Sequence, residues 1–596
     1  MPAGGKILNV FARNALFRPP KHIYLRRDLR YNSPLPVAST ATLPIISGQA
    51  DDAVNHNRWR LIVLVAGLAA LWVVLCRHLS AEWSYNEQYN YGWFVPFFAL
   101  YLFWLRWEDR PEPSPLRSRS VLVPLALVGL VLLFPIRLAE VANPDWRLLS
   151  WIHGFIAVGL TLLLIWSLGG SSWLRHFAFP VLFVLISVPW LTGIEQPIIQ
   201  GLMPTVAGIA TNTLSLFGIP AEVQGNLIRI SNGVVGVSEA CSGVRSFQTS
   251  IMIGLLFGEL KRMSAARRIA LVIAAVAIAF IANCGRAFFL VWIAATRGVG
   301  QVEHWHDIAG YAIVGLVFLG CLGLTRLFSR PAATPAAPGV PARSKAALPS
   351  LGFLASVLAL LVLIEAGVEG WYRAHERDLQ RTAQWNVSWP ESAPQFRDLK
   401  IDERTKALLH YDEGRGAVWI SPEPDQPGAM RLASESSASL LYFFRWRPGH
   451  NSALLANAHR PDVCLPASGW RQTADDGVRS YEATPGLTIP FRHFEFTNDT
   501  HGQSRQAHAF YCVWEDRVRK DESNEAHVAS APSAWTRSER IQAVKEGRRH
   551  LGQQVMEYLL LDSQPITKEE AEERFANTVR ELVAPSQKTV ATTSDH

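Results

Sequence analysis

Cys241 lies in SEACSGVRSF (Ser238–Phe247), with a glutamate before it, an arginine after it and small residues around it, where a long apolar run begins. A thiol at its ordinary pKa of about 8.5 is mostly protonated, and the thiolate is the nucleophile. A neighbouring imidazole takes that proton or pairs with the thiolate. A fixed guanidinium adds positive potential and donates hydrogen bonds to the oxygen that becomes negative when a carbonyl is attacked. The chain supplies both groups downstream, with Arg286 in ANCGRAFFL and His304 and His306 in VEHWHDIAGY. Cys, His and Arg together suit acyl transfer from a peptide bond through a thioester. Ser242 and Gly243 leave room for a substrate backbone. Cys284 is two positions from Arg286 and so on another helix face, which favours Cys241 as the nucleophile. Glu239 reads as a solvated loop residue. His304 and His306 point about 200° apart on a helix, so only one of them faces the thiol. His306 opens HDIAGY with Gly310 one turn later, where a neighbouring helix can approach, and His306 is therefore the expected partner. Such spacings recur by chance in long chains, and the elements carrying them must bring them together.

Hydrophobic residues make up 49% of the 596 positions and charged residues only 18%, and the two are segregated. Apolar runs with short polar loops fill roughly the first 370 residues, and ordinary soluble sequence follows. About 20 apolar residues span a bilayer. The candidates are 61–75, 93–105, 121–138, 148–168, 177–191, 244–260, 269–283, 307–327 and 351–366. Lys and Arg mark the cytoplasmic loops. FRPPKHIYLRRDLR, RWEDRPEPSPLRSRS, KRMSAARR and TRLFSRPAATPAAPGVPARSK fall inside by this rule, and SAEWSYNEQYNYG and EVANPDW fall outside. The net charge of +7 is thus accounted for by inner loops, without nucleic acid as a partner. About 60 polar and basic residues precede the first span, too many for a signal-peptide n-region. The fold class expected is a membrane all-α multi-pass helical bundle of about nine spans followed by an α+β extracytoplasmic domain. Cys241, Arg286, His304 and His306 all emerge on the outer side. The outer stretch 192–240 is expected to hold an amphipathic helix on the membrane surface and, in VQGNLIRISNGVVGVSEA, a small hairpin. Arg286 lies within apolar sequence, where a charge is costly and is usually functional.

EACSGVRS, NCGR and HDIAGY resemble the three signature blocks of the exosortase/archaeosortase family, and YNYGWFVPFFALYLFW and FPVLFVLISVPWLTGIEQPI resemble its upstream segments. One departure is Tyr91-Gly92, where many members carry His-Gly. The resemblance covers roughly residues 89–327 and implies a bacterial inner-membrane cysteine protease or transpeptidase with Cys241, Arg286 and His306 as its catalytic groups. The family histidine stands four residues before a glycine, as His306 does before Gly310. Arg245 belongs to the cysteine block and is expected to hold the loop or a substrate carboxylate. The implied partners are the lipid bilayer, exported proteins with a C-terminal sorting tail, and an unidentified lipid or glycan acceptor. No cofactor is implied. A non-catalytic component of protein export or exopolysaccharide assembly is the alternative. A transporter is disfavoured, because neither an inverted repeat nor a charge pair within the spans is visible.

The organisation expected is a basic cytoplasmic segment (1–60), a catalytic membrane domain (61–330), a Pro/Ala-rich cytoplasmic linker (331–350), a final span (351–368), a periplasmic domain (369–584) and a disordered tail (585–596). In the periplasmic part, GAVWIS, SLLYFFRWRP, TIPFRHFEF and HAFYCVWED alternate like strands. SERIQAVKEGRRHLGQQVMEYLLL reads as a helix, and TKEEAEERFANTVRELV as a second with a capping box. HRPDVCLPASGW resembles the signature of the exosortase-associated domain. His459 and Cys464, without further clustered Cys or His, do not make a metal site. Cys464 and Cys512 are left open as a disulfide pair in an oxidising compartment. Cys76 and Cys321, inside apolar runs, read as small buried hydrophobes.

Overall fold

The computed structural model describes residues 47–114, 122–225, 227–231, 233–236, 243–328, 348–401, 406, 409–420, 437–447, 460–467, 470–500, 503–519, 536–549, 552–562 and 566–585. The chain divides into two compact units, Met1–His56 and Asn57–His596. The only described part of the first is the start of helix α1. Most of the basic N-terminal segment, nearly all of the Pro/Ala-rich linker and residues 586–596 of the tail lie outside the described residues.

Apolar composition makes the first half helical, because a backbone in hydrocarbon must satisfy its own hydrogen bonds. The helices are α1 (Ser47–Tyr85), α2 (Val95–Glu108), α3 (Leu122–Ala142), α4 (Arg147–Phe183), α5 (Thr192–Leu216), α6 (Val244–Leu260), α7 (Ala265–Arg297), α8 (Val302–Phe328) and α9 (Leu351–Glu376). Among the described residues, six helices are long and apolar enough to cross a membrane. α4 is broken at Gly170, where φ is +69°. A Cβ there would lie 2.0 Å from the Ser114 carbonyl oxygen, so only glycine fits. Past the break the chain folds back, and a Cβ on Gly154 would touch Leu185 at 3.3 Å and Val188 at 3.5 Å. A short sheet of β1 (Ala221–Gln224), β2 (Leu227–Ile230) and β3 (Gly233–Gly236) follows α5. It is a three-stranded meander rather than the expected two-stranded hairpin.

Ion pairs sort the loops into two groups. At one end of the bundle Glu87 meets Arg245 at 3.4 Å, and Arg147 meets both Glu82 and Glu195. At the other end Glu259 binds Arg106 and Arg268, and Arg262 reaches Asp109 at 2.5 Å. The two loops read as cytoplasmic, 106–120 and 261–268, therefore share one end. Arg137 of α3 bonds Glu365 of α9 at 2.8 Å, and Glu140 bonds the fully buried His153 at 3.0 Å. This is a charge pair within the spans that the sequence reading did not find. Its partners are 228 positions apart, and nothing local announces them.

The second half is built on a seven-stranded sheet. Two short pairs flank it, β4 (Leu379–Arg381) with β12 (Arg517–Arg519) and β5 (Trp385–Val387) with β14 (Val583–Pro585), and its own strands are β6 (Arg397–Leu399), β7 (Glu413–Ile420), β8 (Ala438–Trp446), β13 (Gln553–Asp562), β11 (Gln503–Glu515), β10 (Leu487–Thr500) and β9 (Arg471–Thr484), in that spatial order, with every pairing antiparallel. The four expected strands fall on β7, β8, β10 and β11. The expected long helix at 538–561 is instead a short helix α11 (Arg537–Lys545) followed by β13. Gly547 and Gly552 take φ of +64° and +79°, which ends the helix. QQVMEYLLLD is then buried on both faces between β8 and β11, and a doubly buried strand has no alternating pattern to read. Helix α12 (Lys568–Leu582) covers one sheet face, and the Thr567 hydroxyl accepts from the Glu570 amide at its start.

This domain docks on the Glu87–Arg245 end. Arg540 of α11 forks onto Asp145 at 3.0 and 2.9 Å, and Arg549 bonds Glu376 at 2.8 Å and also binds Glu369. With the ends so arranged, single cysteines at Gln301 and Asp412, in a background without native thiols, should label with an impermeant maleimide in intact spheroplasts. A cysteine at Ser264 should not. Labelling of Ser264 with protection of Gln301 would invert the assignment.

Candidate active site

α7 has 33 residues, about 50 Å at 1.5 Å per residue, and a hydrocarbon core is about 30 Å thick. Arg286 is therefore about 30 Å from the helix start, near the far edge of the apolar layer. Its Nη2 donates to Nε2 of His306 at 2.7 Å. With the guanidinium donating, the lone pair of the neutral imidazole is on Nε2 and its proton on Nδ1. His306 is half-buried on the first turns of α8, whereas His304 is exposed, which is the separation expected from their spacing. Phe289, one turn after Arg286, stands edge-on to Trp305 with centroids 5.7 Å apart and locks α7 against α8. A Cβ on Gly310 would come 3.8 Å from Arg286 Nη2, so the guanidinium passes over this glycine one turn below His306.

The cysteine block reaches the same place from the other side. Gly243, the N-cap of α6, has φ +93°. A Cβ there would meet the Asn283 side chain at 2.7 to 3.3 Å, so the glycine backbone lies flat on Asn283, one turn before Arg286. Cys241, Ser242 and Glu239 lie outside the described residues. Arg245 pairs with Glu87 on the surface. Cys284 is buried in an apolar cluster with Ala207 and Ala210 of α5 and Val291 of α7. α5, the expected amphipathic helix, packs on the final turns of α7 through this cluster.

Residues 83–323 match the family model described as transmembrane exosortase (Exosortase_EpsH). This membrane region belongs to the transmembrane exosortase family. The Arg286 and His306 blocks of the exosortase region lie inside the match, and so does the sequence of the cysteine block. The sheet domain lies beyond it. No curated protein and no solved structure matches the chain.

The sequence reading missed a buried polar network at the same end of the exosortase region. Glu195 is 2% exposed. It accepts from Tyr89, Arg147 and Gln248, and Arg147 also bonds Glu82 at 2.6 Å and the Trp190 carbonyl at 3.0 Å. The signal was present as lone charges in apolar sequence, in NPDWR and TGIEQPI, but the partners come from four separate elements. Tyr91, at the departure from the family's His-Gly, donates to the Ile186 carbonyl at 3.0 Å, and Gly92 lies against the Trp83 ring.

In the sheet domain His459 lies outside the described residues, and Cys464 falls on the short helix α10 (Pro461–Ala467) with its side chain outside them. Cys512 is a free thiol, fully buried on β11, and burial pushes its pKa up.

Gly243→Ala combines a positive φ, costing about 1–2 kcal/mol in an L-residue, with overlap onto Asn283. The variant should show a lower denaturation midpoint in detergent, and adding Asn283→Ser should recover part of the loss by removing the overlap. An unchanged midpoint in Gly243→Ala would mean that the two helices do not meet there.

Proposed function

We propose that this chain is a membrane cysteine transpeptidase that cleaves the C-terminal sorting tails of exported proteins. The observation that carries the reading is the Arg286–His306 hydrogen bond, about two thirds of the way along α7, with Gly243 packed one turn away. Cys241 is two residues from Gly243, so covalent geometry alone keeps their Cα atoms within about 7 Å. In the reaction, His306 Nε2 takes the Cys241 proton while Arg286 transfers its hydrogen bond from the imidazole to the developing oxyanion. The S–C bond forms, the C–N bond breaks, and the imidazolium returns its proton to the leaving amine. A lipid or glycan acceptor, or water, then attacks the thioester and restores the thiol.

The same reading has nine passes, counting α2, α6 and the two legs of α4 separately. The Lys/Arg-rich loops face the cytoplasm and the sheet domain faces the periplasm of a bacterial inner membrane. The sheet domain is the exosortase-associated module suggested by HRPDVCLPASGW, and its docking beside the site suits a role in presenting substrate.

Mass spectrometry of a candidate substrate's new C-terminus tests the assignment. Cys241→Ala and His306→Ala should abolish processing while the protein accumulates normally, and Cys284→Ala, Cys464→Ala and His304→Ala should retain it. Arg286→Lys should lose about 10²-fold or more, because an ammonium lacks the planar fork of donors. Loss in Cys464→Ala with retention in Cys241→Ala would place the nucleophile in the sheet domain. Full processing in all variants would favour a component that only holds such tails in the bilayer.

A further inference from the structure

Two imidazoles and a carboxylate meet on one face of the sheet, far in sequence from the membrane site. His493 and Glu495 are two positions apart on β10 and share a face, and Glu495 stands directly opposite His508 on β11. One ligand atom from each of the three lies within 4.8 Å of the others. Nε2 of His493 and Nδ1 of His508 are 3.0 Å apart, and a tetrahedral ion with bonds of about 2.1 Å sets two nitrogens about 3.4 Å apart. A small side-chain adjustment seats an ion between them. Both histidines are fully buried. A neutral imidazole offers one ring-nitrogen lone pair to an ion.

The surroundings are those of a metal ligand. β9 carries a bulge in which His493 faces Gly477 and Phe494 faces Asp475, leaving Asp476 as the extra residue. Gly477 has φ +75°, the left-handed glycine that such a bulge uses to re-aim a side chain. Asp476 Oδ2 then lies 3.3 Å from His493 Nδ1, and Glu572 Oε1 of α12 lies 3.6 Å from it. From these distances either carboxylate could accept from Nδ1–H once the ring turns to seat an ion, which would fix its tautomer and strengthen it as a ligand. Three carboxylates, Asp476, Glu495 and Glu572, face two cations, Lys568 on Asp476 and Arg479 on Glu572. His493 Nδ1, His508 Nε2, Asp476 Oδ2 and Glu572 Oε1 are buried and have no hydrogen-bond partner among the described residues. The His493 ring is stacked on Phe510 at 4.3 Å, and Phe510 on Phe575 of α12 at 3.9 Å, so its orientation is set by packing.

We propose that His493, Glu495 and His508 bind one divalent cation, zinc by the nitrogen and oxygen donor set, which clamps β10 to β11 beneath α12. Asp476 and Glu572 act through His493 as positioning residues. The test uses the tag-free full-length protein in detergent, stripped with a chelator, reloaded with zinc and dialysed. Elemental analysis should find about one zinc per chain, and zinc should raise the denaturation midpoint of the stripped protein. Glu495→Gln keeps the side-chain volume and should lose both the bound zinc and the zinc-dependent shift, while circular dichroism still reports the sheet. Asp476→Asn should keep the ion at saturation but weaken zinc by about 10- to 100-fold. Cobalt in place of zinc should give tetrahedral visible absorption in the wild type and none in His508→Gln. Wild-type protein that holds no zinc and shows no midpoint shift would overturn the proposal and leave the two histidines as a hydrogen-bonded core pair. Retention of full zinc by Glu495→Gln and His508→Gln would overturn it equally.

Discussion

A guanidinium set among apolar helix faces is costly to leave without a partner, and such charges pair with one another or with polar groups. Arg286 meets that constraint by bonding His306 across the α7–α8 contact. The pairing fixes the rotation of both helices about their axes. It also puts the imidazole lone pair beside a movable hydrogen-bond donor at the end of the bundle where the cysteine block enters. The surrounding features support this one contact. Phe289 and Trp305 hold the helices together, and Gly243 and Gly310 allow close approach. The Arg147–Glu195 network holds the upstream loop and α5 in place around it.

Much of this was legible in the sequence because lipid leaves few choices. Apolar length gives helices, and basic residues give one common loop face, which the Arg106–Glu259 and Arg262–Asp109 pairs bear out. That His304 and His306 face apart followed from helical angle, and the choice of His306 drew on Gly310 one turn later and on the family's histidine–glycine spacing. What escaped was pairing over long sequence distances. Arg137 with Glu365, and Arg147 with Glu82 and Glu195, are visible only once the helices have packed. β13 escaped for a different reason. Its apolar run is buried on both sides, so its period is neither that of a helix nor that of a half-buried strand. The His493–His508 pair joins two strands across a turn and was hidden by ordinary strand alternation.

The sheet domain is tied to the bundle through charge as well as chain. Arg540 on Asp145 and Arg549 on Glu369 and Glu376 are forked guanidinium–carboxylate contacts, a geometry that adds direction to attraction. Trp146 beneath Arg540 and Tyr372 beneath Arg549 add aromatic faces to both anchors. Two such anchors on different elements restrain rotation of the domain over the end of the bundle that carries Arg286 and His306. In this arrangement Arg286, His306 and the sheet domain stand at the same end of the bundle.

The central claim is that Cys241 carries the acyl group. Acid-quenching the protein during turnover of a tailed substrate, followed by mass spectrometry of its proteolytic peptides, tests this directly. The account predicts a substrate-derived adduct on the peptide containing Cys241, released by hydroxylamine as a thioester is. An adduct on the peptide containing Cys464, or continued turnover with no adduct on any cysteine, would contradict it.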